Sequence, residues 1–394
     1  MNRRRLGPAT QAAVAPKARL LSALGGGRPS VLAVAPLYLS LYLAKRRHEA
    51  YGREWRRRAE AGGGSVAVRF EDEVAVQREV WYQGYEVFAE PPDWLSAPPG
   101  GPRAFYEGCE IRLEDDACCR CDATGHRTRI DAPFSDASAP LWKVSDPPRT
   151  PGEIASRIDV PEPANLAEAG WFDLTRQLVA EVGEEYALYW STGSPYTACY
   201  AYLGFEGMML AMREQPEIMT AIAERRLQQV VAWAAAARNA GLELVFVEEW
   251  ACGADLISPR DYRTFAWPFE RDLCRELRRL GFRTVFYFCG SIDDRLAEIR
   301  QLEAEALAFE ESKKGFKIDI GDVRREVGAE RCLFGNLDVT RVRDADAETL
   351  RQEVFRQVEA AGPGAFVAST GSPLTLDTAP CRVDRLMATA RSYQ

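Results

Sequence analysis

The side chains able to do chemistry in this sequence stand at the ends of short apolar runs. Cys289 follows Arg283-Thr284-Val285-Phe286-Tyr287-Phe288 and is followed at once by Gly290-Ser291. Glu248-Glu249 closes Leu244-Val245-Phe246-Val247, Glu310-Glu311 closes Leu307-Ala308-Phe309, and Gly335-Asn336-Leu337-Asp338 follows Cys332-Leu333-Phe334. A thiol becomes a nucleophile or a metal ligand when a helix N-terminus, a cation or a metal lowers its pKa. Two carboxylates that converge repel one another, so one keeps its proton toward neutral pH and serves as a general acid. Histidine is nearly absent, with only His48 and His126. A Ser-His-Asp hydrolase or a multi-histidine metal centre is hard to build from that. Proton transfer falls to carboxylates, tyrosine, cysteine or lysine.

Adjacent residues on a strand point opposite ways, so one of Glu248 and Glu249 faces a shared pocket while the other packs or pairs outside. Glu249 is taken as the inward one. With Cys289, Glu310 and Asp338 it makes the expected catalytic set. Each has a plainer structural reading beside it. Cys289 can be a buried thiol next to a tight turn, Glu310-Glu311-Ser312-Lys313-Lys314 a solvated charge run, and Asp338 a helix cap. Tyr38, Tyr42, Trp94, Trp190, Tyr196 and Tyr287 are expected to ring the pocket mouth, which suits a flat or apolar substrate. Core packing explains any one of them equally well. The expected substrate-binding residues are Tyr38, Trp190, Tyr287, Asn336 and Ser372. Cys118-Cys119-x-Cys121 with Cys109 is too tightly spaced for a metal knuckle, and hairpin packing is expected there.

The elements that must position these groups repeat one grammar of strand, polar loop and helix. Strands are predicted at Ser30–Leu37, within Val80–Phe88, and at Tyr186–Trp190, Leu244–Val247, Arg283–Phe288, Leu307–Phe309, Cys332–Phe334 and Ala365–Ala368. Helices are predicted over Lys17–Leu24, Leu41–Ala61, Thr197–Arg213 and Pro216–Ala240. Another starts at the Ser258-Pro259 cap, and one begins directly after a Ser291 cap. Eight strands alternating with helices predict an α/β (β/α)8 barrel, whose strand C-termini carry the site. The chain is expected to be one domain over 1–394, with a β-hairpin inserted at 103–131 in its N-terminal half.

A net charge of −8 argues against nonspecific nucleic-acid binding. No Asp or Glu precedes Glu49, whereas Arg3, Arg4 and Arg5 open the chain. This start reads as a basic tail before a helix, with an organelle transit peptide as the alternative. The apolar run from Val31 to Ala44 is shorter than the roughly 20 residues of a membrane span and contains Pro36, so no membrane partner is expected. Ten cysteines in 394 residues fall below the density of a disulfide scaffold, which favours reduced thiols and a cytoplasmic setting.

Several of these stretches also carry a resemblance. Ser258-Pro259-x-x-Tyr262 with Pro268, Cys289-Gly290, Gly335-Asn336-Leu337-Asp338, and Thr370-Gly371-Ser372-Pro373 with Asp377-Thr378-x-Pro380 occur in this order. Together they resemble the uroporphyrinogen decarboxylase superfamily, most closely over Ala187 to Arg391. That group comprises tetrapyrrole decarboxylases and zinc- and corrinoid-linked methyltransferases. The methyltransferase branch implies a zinc bound by His-x-Cys and a distant Cys. Here Tyr287 stands at the His position and Ser372 at the distant Cys position, leaving Cys289. Zinc would then need carboxylates such as Glu249 or Glu310. The decarboxylase branch implies an Arg-rich stretch after the first strand, where this chain reads Leu37-Tyr38-Leu39-Ser40-Leu41-Tyr42. The resemblance leads to a decarboxylase or lyase acting on a small aromatic or carboxylated substrate. The alternatives are a zinc- or corrinoid-linked methyltransferase to a thiol, served by a corrinoid carrier protein, and a non-catalytic ligand-binding barrel.

Overall fold

Eight parallel strands form a nearly closed barrel in the computed structural model, which describes residues 14–135, 141–313, 315–362 and 364–393. The basic start at Arg3-Arg4-Arg5 and Lys314 lie outside those residues. The barrel strands are β1 (Ala33–Val34), β2 (Trp94–Ser96), β3 (Ala187–Gly193), β4 (Leu244–Glu249), β5 (Arg283–Phe288), β6 (Ala306–Phe309), β7 (Cys332–Phe334) and β8 (Phe366–Ala368). They run in the order β1-β8-β7-β6-β5-β4-β3-β2. Between β1 and β2 the seam is drawn together by Asp93. Its backbone N–H donates to the Val34 carbonyl at 2.9 Å, and its carboxylate accepts from the Val34 N–H at 3.0 Å. Arg19 and Arg391 grip the same buried carboxylate at 2.7 and 3.2 Å.

Alternation along each strand sends one set of side chains into the barrel and the other toward the helices. The inner set includes Trp94, Tyr189, Leu244, Phe246, Val285, Tyr287, Ala306, Ala308, Cys332, Phe334 and Val367, all buried. Aromatic rings plug the lumen. Trp94 lies 4.3 Å from Tyr189, 5.3 Å from Phe334 and 5.8 Å from Phe246, centroid to centroid. The interior is a packed core, and in barrels of this kind the strand C-termini carry the chemistry.

The second barrel strand is not where the sequence placed it. The aromatic and β-branched content within Val80–Phe88 predicts a strand there, yet Phe70–Tyr85 is a helix. Buried Phe70, Val74, Trp81 and Tyr85 fall on one helical face, and Glu71, Asp72 and Glu73 favour its N-terminus. The strand is the three-residue Trp94–Ser96, just past Pro91-Pro92. No helix begins directly after Ser291 either. The helix in that loop is only Leu296–Ile299, and the Ser291 hydroxyl contacts the Asp293 N–H at 3.5 Å.

A second sheet is antiparallel. Glu110–Glu114 pairs with Ala117–Cys121 across Asp115-Asp116, and Ser65–Ala67 and Arg127–Arg129 flank them to give four strands. Asp115 adopts a left-handed φ of 50°, which aspartate tolerates in tight turns. Cys109, Cys118, Cys119 and Cys121 are buried free thiols in and beside this sheet. No helix among the described residues is long and apolar enough to cross a membrane.

Candidate active site at the barrel rim

The strand alternation decides which carboxylate enters the barrel. Leu244 and Phe246 face inward on β4, so Glu248 does as well, while Glu249 shares the outward face with Val245 and Val247. This reverses the choice made from sequence, where nothing near the two glutamates distinguished one face from the other. The inward series predicts the next rim residues directly. Val285 and Tyr287 lead to Cys289, Ala306 and Ala308 lead to Glu310, and Cys332 and Phe334 lead to Asn336.

Tyr38 leans over this rim from the loop after β1. Its backbone is left-handed, with φ 54°, an unusual conformation for a bulky residue. Its ring packs edge-on against Phe246 and Tyr287 at 5.2 and 5.4 Å. The hydroxyl is buried without a hydrogen bond of ordinary geometry, yet Glu248 is close enough to act on it. Burial, then the Glu248 charge, push the Tyr38 phenol well above its usual range. Burial likewise raises the Glu248 carboxyl, with the Tyr38 hydroxyl pulling weakly the other way. The Tyr287 hydroxyl donates to the Gly371 carbonyl at 2.8 Å, and burial followed by the Cys289 thiol keep it protonated.

Beside this aromatic corner lies a charged one. The Gly290 N–H donates to Glu310 Oε2 at 2.9 Å, while Lys313 Nζ pairs with the other oxygen of Glu310 and with Glu311 at 3.3 Å. Ser372 accepts from Lys313 Nζ at 2.7 Å and donates to Glu311 Oε2 at 2.7 Å. Burial alone would lower the Lys313 pKa, but the hydrogen bond to Glu310 and the charge of Glu311 outweigh it and raise it. The Asn336 amide donates to the Glu310 and Ile318 carbonyls at 3.1 and 3.0 Å, fixing the loop that carries the pair. Gly371 is required by close approach, since a Cβ there would meet the Glu311 backbone nitrogen at 2.4 Å.

Other residues expected at the site lie elsewhere. Asp338 caps Val339–Asp344, accepting from the Thr340 N–H and hydroxyl at 2.8 and 2.7 Å. Trp190 faces the helices with Leu188, and Tyr196 reaches Met212 Sδ at 3.6 Å outside the barrel. Tyr42 donates to the Thr378 carbonyl at 2.6 Å. The rim therefore brings together Tyr38, Tyr287, Cys289, Glu310, Asn336 and Ser372. It adds Glu248, Glu311 and Lys313, which were not assigned from sequence.

Glu249 belongs to a separate, sealed cluster. Its carboxyl accepts from the Ser194 hydroxyl and from the Ala251 N–H. The Cys252 thiol lies 3.5 Å from Glu270, whose other oxygen accepts from Tyr262 at 2.8 Å. Burial pushes Glu249 up to about 7, and burial plus the Glu249 charge raise Glu270 well above the carboxylate range. Among the described residues, Glu249, Cys252 and Glu270 are the group whose ligand atoms all lie within 4.8 Å, close enough to hold a metal ion. At the rim the donor chemistry does not fit the zinc of the thiol methyltransferases. Tyr287 is a protonated phenol committed to Gly371, the Ser372 proton is committed to Glu311, and Cys289 supplies a single sulfur.

A parallel eight-stranded barrel with acid, phenol, thiol and ammonium groups gathered at its strand C-termini defines an enzyme-type (β/α)8 architecture. The family model for uroporphyrinogen decarboxylase (URO-D) matches residues 135–393, and the chain belongs to that family as a divergent member. A uroporphyrinogen decarboxylase from Gloeobacter violaceus is 24% identical over 315 residues, covering 72% of this chain and 88% of that protein. A methylated-thiol–coenzyme M methyltransferase from Methanosarcina mazei is also 24% identical, over 60% of this chain and 61% of its own length. A solved methyltransferase structure from Methanosarcina mazei superposes over 95% of this chain and 98% of its own, with TM-score 0.64 and 16% identity. Members of the family are enzymes, both decarboxylases and methyltransferases.

Proposed function

We propose that this chain is a lyase of the decarboxylase type, acting on a small aromatic or carboxylated substrate at the barrel rim. The observation that carries the reading is Glu248. It is an inward-facing carboxyl whose pKa is raised by burial, and it stands beside the Tyr38 hydroxyl. Decarboxylation breaks the bond between a carbon and its carboxylate, leaves the electron pair on that carbon and releases CO2. The Glu248 carboxyl supplies the proton that the carbon then takes, and water restores it. Tyr38 and Tyr287 offer ring faces and edges to a flat substrate.

The test is release of CO2 from a panel of aromatic and small carboxylic acids in D2O, with deuterium appearing at the vacated carbon. Glu248→Gln is expected to lower kcat by about 10²–10⁴ while KM changes little, the usual range for a lost general acid. Inert acids together with methyl transfer to a thiol would overturn the reading. That outcome describes the second candidate, a methyltransferase fed by a corrinoid carrier protein or a methoxylated compound. The likeness to the coenzyme M methyltransferase favours it, and the rim's single thiol counts against it.

A further inference from the structure

Lys313 leaves the rim just beyond β6 and turns its ammonium back between two strand ends. Glu310 and Glu311 reach it from β6, and Ser372 reaches it from the loop after β8. Three oxygen acceptors thus converge on one ammonium in a largely buried recess. The Lys313 side chain is 31% exposed and those of Glu310 and Glu311 are 3% and 8% exposed. The Ser372 hydroxyl gives its proton to Glu311, so the pair is not a serine nucleophile with a lysine base. Two nearly buried carboxylates demand a counter-cation, and this ammonium supplies it from within the chain.

We propose that the Lys313 ammonium is the resident cation of this site, filling the recess among Glu310, Glu311 and Ser372 and keeping divalent metal out. Two observations converge on this. The donors that would bind zinc through sulfur and imidazole are replaced by a phenol and a hydroxyl already committed elsewhere. The oxygens that might compensate are already saturated by a positive charge. A dication placed among the same oxygens would sit within a few ångströms of the ammonium, where like charges repel strongly in a poorly hydrated recess. Chemistry beside Cys289 then proceeds without a bound metal, with charge supplied by a side chain.

The test reads metal content of the full-length protein after dialysis against zinc, in a Cys252→Ala background so that the sealed Glu249–Cys252–Glu270 cluster cannot contribute. The Cys252→Ala protein is expected to carry no zinc. Adding Lys313→Met, which keeps the aliphatic stem and removes the charge, is expected to bring zinc to about one per chain, held by the freed carboxylates. Lys313→Arg, which keeps the charge, is expected to remain metal-free. Stoichiometric zinc in the Cys252→Ala protein or in the Arg variant overturns the proposal. So does a folded Met variant, judged by its circular dichroism and melting, that takes up none. If the Met variant does not fold, the Arg variant and the Cys252→Ala protein still decide the exclusion of metal.

Discussion

Replacing Glu249 with glutamine tests the sealed carboxyl cluster through its pH dependence. The Glu249 carboxyl is held at about 7 against an ordinary 4.5. Between those values the folded protein keeps a proton that the unfolded chain has lost. Stability therefore falls as pH rises, by about 1.4 kcal/mol per unit for one such proton. Across that window the loss sums to about 3 kcal/mol, complete once pH passes the folded value. Glutamine has the same shape and no proton to lose. Its amide oxygen can accept from the Ala251 N–H, and its NH2 can donate to the Ser194 hydroxyl. Urea unfolding of both proteins from pH 4.5 to 8 reads the difference. Near pH 4.5 the variant is expected to be no more stable than the parent, and the comparison should shift in its favour by about 3 kcal/mol by pH 8. A stability difference that stays flat across this range would refute the reasoning, because it would mean that Glu249 titrates alike in both states.

Other perturbations address the seam and the rim. Asp93→Ala is expected to destabilise the fold by about 3–5 kcal/mol, because it strands the buried Arg19 guanidinium and cuts the side-chain link to β1; urea midpoints measure it. Gly371→Ala forces a Cβ against the Glu311 backbone. A cost of about 1–3 kcal/mol is expected, together with weakened retention of Lys313 that a fall in the Lys313 pKa, followed by NMR, would report.

The barrel was legible because its apolar runs recur with polar residues at their ends, a pattern that follows from strands buried on both faces. Cys289, Glu310 and Asn336 could be placed for the same reason, the first two lying one residue past a strand and Asn336 two. What escaped was information that depends on phase. Choosing Glu248 over Glu249 requires knowing which of Phe246 and Val247 looks inward, and both are apolar. Val80–Phe88 failed because aromatic content was weighed above the four-residue spacing from Phe70 to Val74 and from Trp81 to Tyr85. Lys313 looked like part of a solvated charge run because its partners, Glu311 and Ser372, are 61 residues apart and meet only when the barrel closes.

That closure has a temporal side. The Asp93 carboxylate is clasped by a residue 74 positions behind it and another 298 positions ahead. Most of the wall can assemble as the polypeptide emerges, but the last rivet waits for Arg391. Until β8 is made, β1 has no ladder partner, an interval when chaperone capture or misassembly between neighbouring chains is most dangerous.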